Sequence, residues 1–157
     1  MEARTPVFED TLVEVFSELA DLFGNPRSHG QIYGLLFASP EPLSMDAIAT
    51  RLSISIGSTS QGLRSLELLG AIERDATGRQ ATFTAKLELK VLISGFVRQR
   101  LVPRLHASQE RLATLRPLLP EMPPAHASDY ALRLKRVTQW HDRALKFLPL
   151  AQQLLKS

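Results

Sequence analysis

The amino-acid sequence predicts a mainly α-helical fold with one small β element, and three observations predict it. Apolar residues recur at helical spacing along most of the 157-residue chain, the pattern of helices that bury one stripe. Only two short pieces, residues 71–74 (AIER) and 80–84 (QATFT), read as extended, and a glycine-containing turn separates them. Four of the ten prolines crowd into residues 117–124, where they divide one long helical stretch from another.

The elements follow in chain order. Phe8, Leu12, Val15, Phe16, Leu19, Leu22 and Phe23, with five acidic residues between them, make an amphipathic helix that Gly24, Asn25 and Pro26 stop. Residues 28–38 (SHGQIYGLLFA) are almost uncharged. Their Gly30 and Gly34 share a face and let a neighbouring helix come close, so this segment is expected to be buried. Residues 39–42 (SPEP) form a turn. Ser44 caps a short helix over 45–52, with Asp46 where the helix dipole favours a negative charge. Ser55 caps the next helix, 56–69, which Gly70 closes and whose inward stripe is Thr59, Leu63, Leu66 and Leu69. The extended pieces flank residues 75–79, where Gly78 suits the positive φ of a hairpin turn.

Residues 86–115 are helical again, with Pro103 kinking or dividing the helix. Residues 117–127 read as a rigid, non-helical connector. A last helix from residue 129 carries Tyr130, Leu134, Val137, His141, Ala144, Leu148 and Leu155 at roughly heptad spacing, and Pro149 interrupts it late. The middle of the chain therefore reads helix, tight turn, helix, hairpin, the order of a winged helix-turn-helix. The predicted fold is mainly α with a small β wing: a winged helix-turn-helix over 27–85, an N-terminal dimerisation helix over 1–26 and a C-terminal helical dimerisation region over 86–157. Apolar seams on the long helices exceed what one small winged domain covers, which argues for a partner chain.

Composition excludes several classes of function. The apolar fraction of 44% is too high for a disordered chain, and the net charge of +3 is only a mild excess that fits a phosphate-binding surface. There is no cysteine, which removes disulfides, thiolate metal sites and cysteine nucleophiles together. The N-terminal residues lack a signal-peptide core, and no apolar run reaches the roughly 20 residues of a membrane span. A cytoplasmic protein with no membrane association is expected. His29, His106, His126 and His141 show no metal-ligand spacing, and no phosphate loop, nucleophile elbow or carboxylate pair is present. No metal, cofactor or enzymatic activity is expected.

Residues 39–72 (SPEPLSMDAIATRLSISIGSTSQGLRSLELLGAI) resemble winged helix-turn-helix transcriptional regulators of the GbsR/MarR type. The resemblance rests on the turn at 39–44, on Ser55, Gly57 and Ser60 at the opening of the second helix, and on Leu63, Arg64, Leu66, Glu67 and Gly70 at its end. Residues 25–28 and 30–36, and further on Arg98, Arg100, Pro103, Trp140 and His141, are similar to the family as well. The resemblance implies a small bacterial or archaeal regulator that binds double-stranded DNA as a homodimer. It places helix 56–69 in the major groove, with Ser55, Gly57, Ser58, Ser60, Gln61, Gly62 and Arg64 as DNA-binding residues, and Arg74 and Arg79 of the wing on the backbone or minor groove. It also allows a small-molecule effector, for which Phe96, Tyr130 and Trp140, with Phe147, are the candidate pocket.

Two departures from the family pattern matter. Ile56 stands where relatives often carry lysine, and Asp75 offsets Arg74 and Arg79 in a short wing. They motivate an alternative, a winged-helix protein-protein adaptor without DNA binding; a small-molecule-binding helical protein is the other. Arg98, Arg100 and Arg104 read as a solvated face rather than as a second nucleic-acid patch.

Overall fold

Two glycines set how the first helices meet in the computed structural model, which describes residues 4–156. Helices α1 (Arg4–Leu22) and α2 (Arg27–Ala38) cross where Gly30 and Gly34 present bare backbone. A Cβ on Gly30 would strike the carbonyl group of Phe16, and one on Gly34 would lie 2.7 Å from the Leu12 carbonyl oxygen. The close approach expected from this spacing is therefore made by α1. It brings Phe16 edge-on to Tyr33, with ring centroids 4.8 Å apart. Around this pair the core gathers Ile32, Leu35 and Leu36 of α2, Ile48, Leu63, Leu66, Leu69 and Phe83.

Tyr33 also ties α2 to the chain beyond the sheet: its hydroxyl donates to the Lys86 carbonyl oxygen at 2.7 Å. Burial, aided by the Glu88 carboxylate, pushes the phenol from 10.0 up to about 12. Because the folded value lies above the unfolded one, this contribution to stability is intact below pH 10 and is lost as pH rises towards about 12. Tyr33→Phe is expected to cost about 1 kcal/mol at neutral pH through the lost hydrogen bond. The gap between wild type and variant should then narrow across the alkaline window, as measured by urea unfolding. A gap that stays constant with pH would contradict this role for the hydroxyl.

The middle of the chain is a winged helix-turn-helix. In α3 (Met45–Leu52) the Ala47 amide donates to Ser44 Oγ at 3.2 Å, the expected N-cap. Ser53, at φ 53° and ψ 42°, turns the chain sharply towards α4 (Ile56–Leu69). Gly70 closes α4 at φ 72°, a conformation that costs a glycine little. The Gly70 amide donates to the Glu67 carbonyl and the Ala71 amide to that of Leu66. Ala71 thus finishes the helix cap, which delays the strand predicted to begin there.

Three short strands, β1 (Leu43–Ser44), β2 (Ile72–Asp75) and β3 (Thr82–Ala85), pair antiparallel in the order β1-β3-β2. Phe83 stands opposite both Leu43 and Arg74. Strand β1 has no signal of its own in the sequence, because two residues beside a proline turn become a strand only when β3 supplies the hydrogen bonds. Gly78 is also corrected, since it does not take the positive φ expected of it. The loop over 76–81 is longer than a two-residue turn, and Asp75 bends its start instead: the carboxylate accepts from the Thr77 amide at 2.9 Å and from its hydroxyl at 2.7 Å.

Helix α5 (Leu89–Phe96) begins three residues later than expected, and its Gly95 abuts the backbone of Leu69 at the end of α4. The chain divides into two compact units between Gly95 and Phe96. The first helix therefore shares a unit with the winged domain. The outermost residues of the expected dimerisation segments, 1–3 and 157, lie outside the described residues.

In the second unit a π-helical turn (Val97–Leu101) leads into α6 (Val102–Ala113). Pro103 sits at the start of α6, and the Val102 amide reaches back five residues to the Val97 carbonyl. The widened turn accommodates a proline that has no amide to donate and whose ring would crowd a tighter turn. Residues 117–127 are not the non-helical connector predicted: 3-10 turns form over Arg116–Glu121 and Pro124–His126. Prolines at the first positions of such turns have a suitable φ and need no hydrogen bond there. Helix α7 (Ala127–Lys156) also runs through Pro149 instead of being interrupted there, because the proline removes one bond of a long ladder. Gln109 Nε2 donates to Asp142 Oδ1 at 2.8 Å and joins α6 to α7.

Candidate nucleic-acid interface

Helix α4 owes its two faces to its sequence. Thr59, Gly62, Leu63, Leu66 and Leu69 are buried, and Thr59 is locked by its hydroxyl donating to the Ser55 carbonyl oxygen at 2.9 Å. On the opposite side Gly57, Gln61, Arg64 and Leu68, spaced four, three and four residues apart, are all exposed. The structure therefore brings three of the predicted residues, Gly57, Gln61 and Arg64, onto one open face.

The serines serve the start and the edges of the helix. The Ser58 amide donates to Ser55 Oγ at 3.0 Å, and the Ser55 hydroxyl donates to Ser58 Oγ at the same distance. This cap leaves the amides of Ile56 and Gly57 directed outward with no partner inside the helix, as at any helix start. Ser58 and Ser60 are half-buried at opposite edges of the open face.

Gly62 is a correction. It is buried rather than outward, and a Cβ there would collide with the Ile32 side chain and meet His29 at 3.3 Å. Its missing side chain lets α4 pack on α2. Leu68, 67% exposed on the open face, was passed over by the sequence reading, although its spacing from Gly57 and Arg64 was there to be read. Ile56 is exposed beside the cap.

The wing is electrically balanced. Arg74 on β2 and Arg79 in the loop are exposed, but Asp75 stands next to Arg74 in sequence. The hydrogen bonds from Thr77 hold its carboxyl below the ordinary carboxylate value, so it stays anionic. β2 holds Glu73 and Asp75 against Arg74 and so carries no net positive charge; Glu73 is 3.8 Å from Lys86 Nζ.

The candidate effector residues Phe96, Tyr130, Trp140 and Phe147 all lie in the second unit. Tyr130 and Trp140 are exposed on α7, about 15 Å apart along its axis at 1.5 Å per residue. Two clefts of that unit, of about 330 and 280 Å³, share Arg116, Leu134 and Thr138 in their walls, and none of Phe96, Tyr130, Trp140 or Phe147 borders either. Among the described residues no group of three His, Asp or Glu side chains could hold a metal ion. No helix among them is long and apolar enough to cross a membrane.

Comparison with known proteins agrees with the winged-helix fold. Residues 22–78 match a family described as the DprA winged helix domain, a stretch that runs from the end of α1 into the wing loop. The chain is also similar to a protein of known structure described as a transcriptional regulator, with 22% sequence identity and a TM-score of 0.66 over 94% of this chain and 97% of that one. At that identity the likeness establishes the fold alone. No curated protein matches the sequence. The chain carries a winged-helix domain within a mainly helical fold.

Proposed function

We propose that this chain is a transcriptional regulator of the GbsR/MarR type, which binds specific sequences in double-stranded DNA as a homodimer and catalyses no reaction. One observation carries the reading: α4 presents Gly57, Gln61 and Arg64 on an open face while its other side is fixed in the core. A major groove about 12 Å wide admits one such helix. There the Gln61 carboxamide is suited to the two hydrogen bonds that adenine offers, and Arg64 to a phosphate or guanine. Gly57 lets the backbone come close, so that the free amides at the helix start can hold a phosphate. Ser55, Ser58 and Ser60 line the edges of the contact, and Arg74 and Arg79 reach the backbone or the minor groove. Residues 27–85 form the DNA-binding part and the segments 1–26 and 86–157 the dimer contacts. A two-fold pair would set two recognition helices about 34 Å apart, one turn of DNA. A small-molecule effector would act by changing that spacing.

Fluorescence anisotropy with a random duplex pool across a salt series tests the reading. Wild type should bind with an affinity that falls steeply with salt. Arg64→Ala with Arg79→Ala should weaken binding and flatten the slope by about one for each arginine that touches phosphate. Absent or salt-insensitive binding at low ionic strength sinks the proposal. The exposed Ile56 and Leu68 at the two ends of α4 favour the second reading in that event, a winged-helix adaptor that holds a protein.

A further inference from the structure

One cleft of the second unit holds a carboxylate and a guanidinium that do not pair with each other. Leu134, Thr138 and Asp142 follow at four-residue spacing along one face of α7. Gln109 and Leu112 of α6, with Arg116 in the 3-10 turn beyond it, line the same cleft of about 280 Å³. The bond from Gln109 Nε2 to Asp142 Oδ1 fixes the carboxylate at one end and leaves its second oxygen for another donor. Arg116 and Asp142 have no ion pair among the described residues, although both border the cleft.

Such a cleft selects by charge. Its floor is half-buried and largely apolar, with Leu112, Leu134 and Thr138, and a charge entering it needs a counter-charge. A simple anion drawn to Arg116 is repelled by Asp142, and a simple cation drawn to Asp142 is repelled by Arg116. A molecule that carries both charges satisfies both residues. A guanidinium grips a carboxylate through two parallel N–H bonds. An ammonium group has three donors, and Asp142, the Gln109 carbonyl oxygen and the Thr138 hydroxyl are acceptors for them. The adjoining cleft of about 330 Å³ adds Lys135, a second cation for the carboxylate, and Leu119 with Ala131, which suit an apolar side chain. Tyr130, Trp140 and Phe147 border neither cleft, so a partner chain on their side of α7 leaves this one open.

We propose that this cleft binds a free α-amino acid with an apolar side chain. The carboxylate lies on Arg116 and Lys135, the ammonium group on Asp142, and the side chain over Leu134 towards Leu119. Gln109 is a positioning residue, since it holds the Asp142 carboxylate in place between α6 and α7. The bound amino acid is the small molecule that controls the regulator proposed above. That role rests on the regulator reading, whereas the binding itself does not.

Isothermal titration calorimetry of the full chain with L-leucine and with L-phenylalanine tests the site. At least one should bind with a dissociation constant below about 1 mM. The analogues that lack the ammonium group, 4-methylpentanoate and 3-phenylpropanoate, should bind about tenfold more weakly than the parent amino acid, as should 3-methylbutylamine and 2-phenylethylamine, which lack the carboxylate. Arg116→Gln and Asp142→Asn should each weaken the amino acid by a similar factor. Asparagine keeps an acceptor for Gln109, and circular dichroism checks that both variants fold. Lys146→Gln, exposed on α7 outside both clefts, should bind as wild type does. No heat from either amino acid up to about 10 mM overturns the proposal. So does a carboxylic acid that binds as tightly as its amino acid, which would make the cleft a plain anion site, and so do Arg116 and Asp142 variants of wild-type affinity. None of these results bears on the anisotropy measurement with duplex DNA, so the two readings fail separately.

Discussion

Gly30→Ala is expected to destabilise the winged-helix unit by about 3 kcal/mol. The added Cβ would run into the carbonyl of Phe16 and come within 2.8 Å of the Ala20 Cβ. A backbone carbonyl within α1 cannot rotate away, so the two helices must separate. Separation thins the contact of Phe16 with Tyr33, and overpacking of a well-fitted core typically costs about 1–3 kcal/mol or more. The opposing term is smaller: alanine is a better helix former than glycine by about 1 kcal/mol. Gly57→Ala is the control, because its Cβ would meet nothing nearer than Ser55 Oγ at 3.8 Å. The same chemical change should there be neutral or slightly stabilising. Urea unfolding of both variants decides the matter: equal effects would mean that the contact between α1 and α2 is looser than the geometry implies.

The contrast between these glycines shows what the sequence made legible. Gly30 and Gly34 could be read as a close-packing face because four residues is about one helical turn, and everything needed lay within one segment. The caps at Ser44, Ser55 and Gly70 were readable for the same reason, since capping is a local contest for orphan amides and carbonyls. Gly57 and Gly62 were read together, as outward or as packing positions, yet five residues on a helix turn through roughly 140° beyond a full circle. The buried stripe of Thr59, Leu63 and Leu66 already claimed Gly62's side. That stripe separates the two glycines and gives the packing role to Gly62 alone.

Other features were out of reach. Strand β1 exists because Leu43 meets Phe83 forty residues away, and nothing local announces such a pairing. Prolines mark where an α-helix is costly, but they do not say whether a 3-10 turn replaces it, as at Pro117, or whether a long ladder absorbs the loss, as at Pro149. The aromatic residues of α7 were read as a pocket because aromatics are plausible in either place. Tyr130, Trp140 and Phe147 are all exposed on α7, and spacing alone does not say what covers them.

On the open face of α4, Gly57→Glu should lower affinity for duplex DNA about a hundredfold, near 2.7 kcal/mol, while leaving the fold as stable as before or slightly more so. Gly57 occupies the second position of α4, where a carboxylate gains from the helix dipole by roughly 0.3–1 kcal/mol. Open space surrounds its Cβ, so the new side chain fits the free protein. In the groove that side chain would stand where backbone amides are proposed to meet a phosphate, and would add both bulk and repulsion. Gly57→Lys separates those two causes. If the lysine variant keeps affinity but loses preference between sequences, repulsion dominates the glutamate effect; if both variants lose affinity equally, close approach of the backbone is what Gly57 provides. Unchanged binding by the glutamate variant, with its thermal stability retained, would mean that DNA does not approach this face. The apolar ends at Ile56 and Leu68 would then become the surface to explain, and a protein would be the partner to seek.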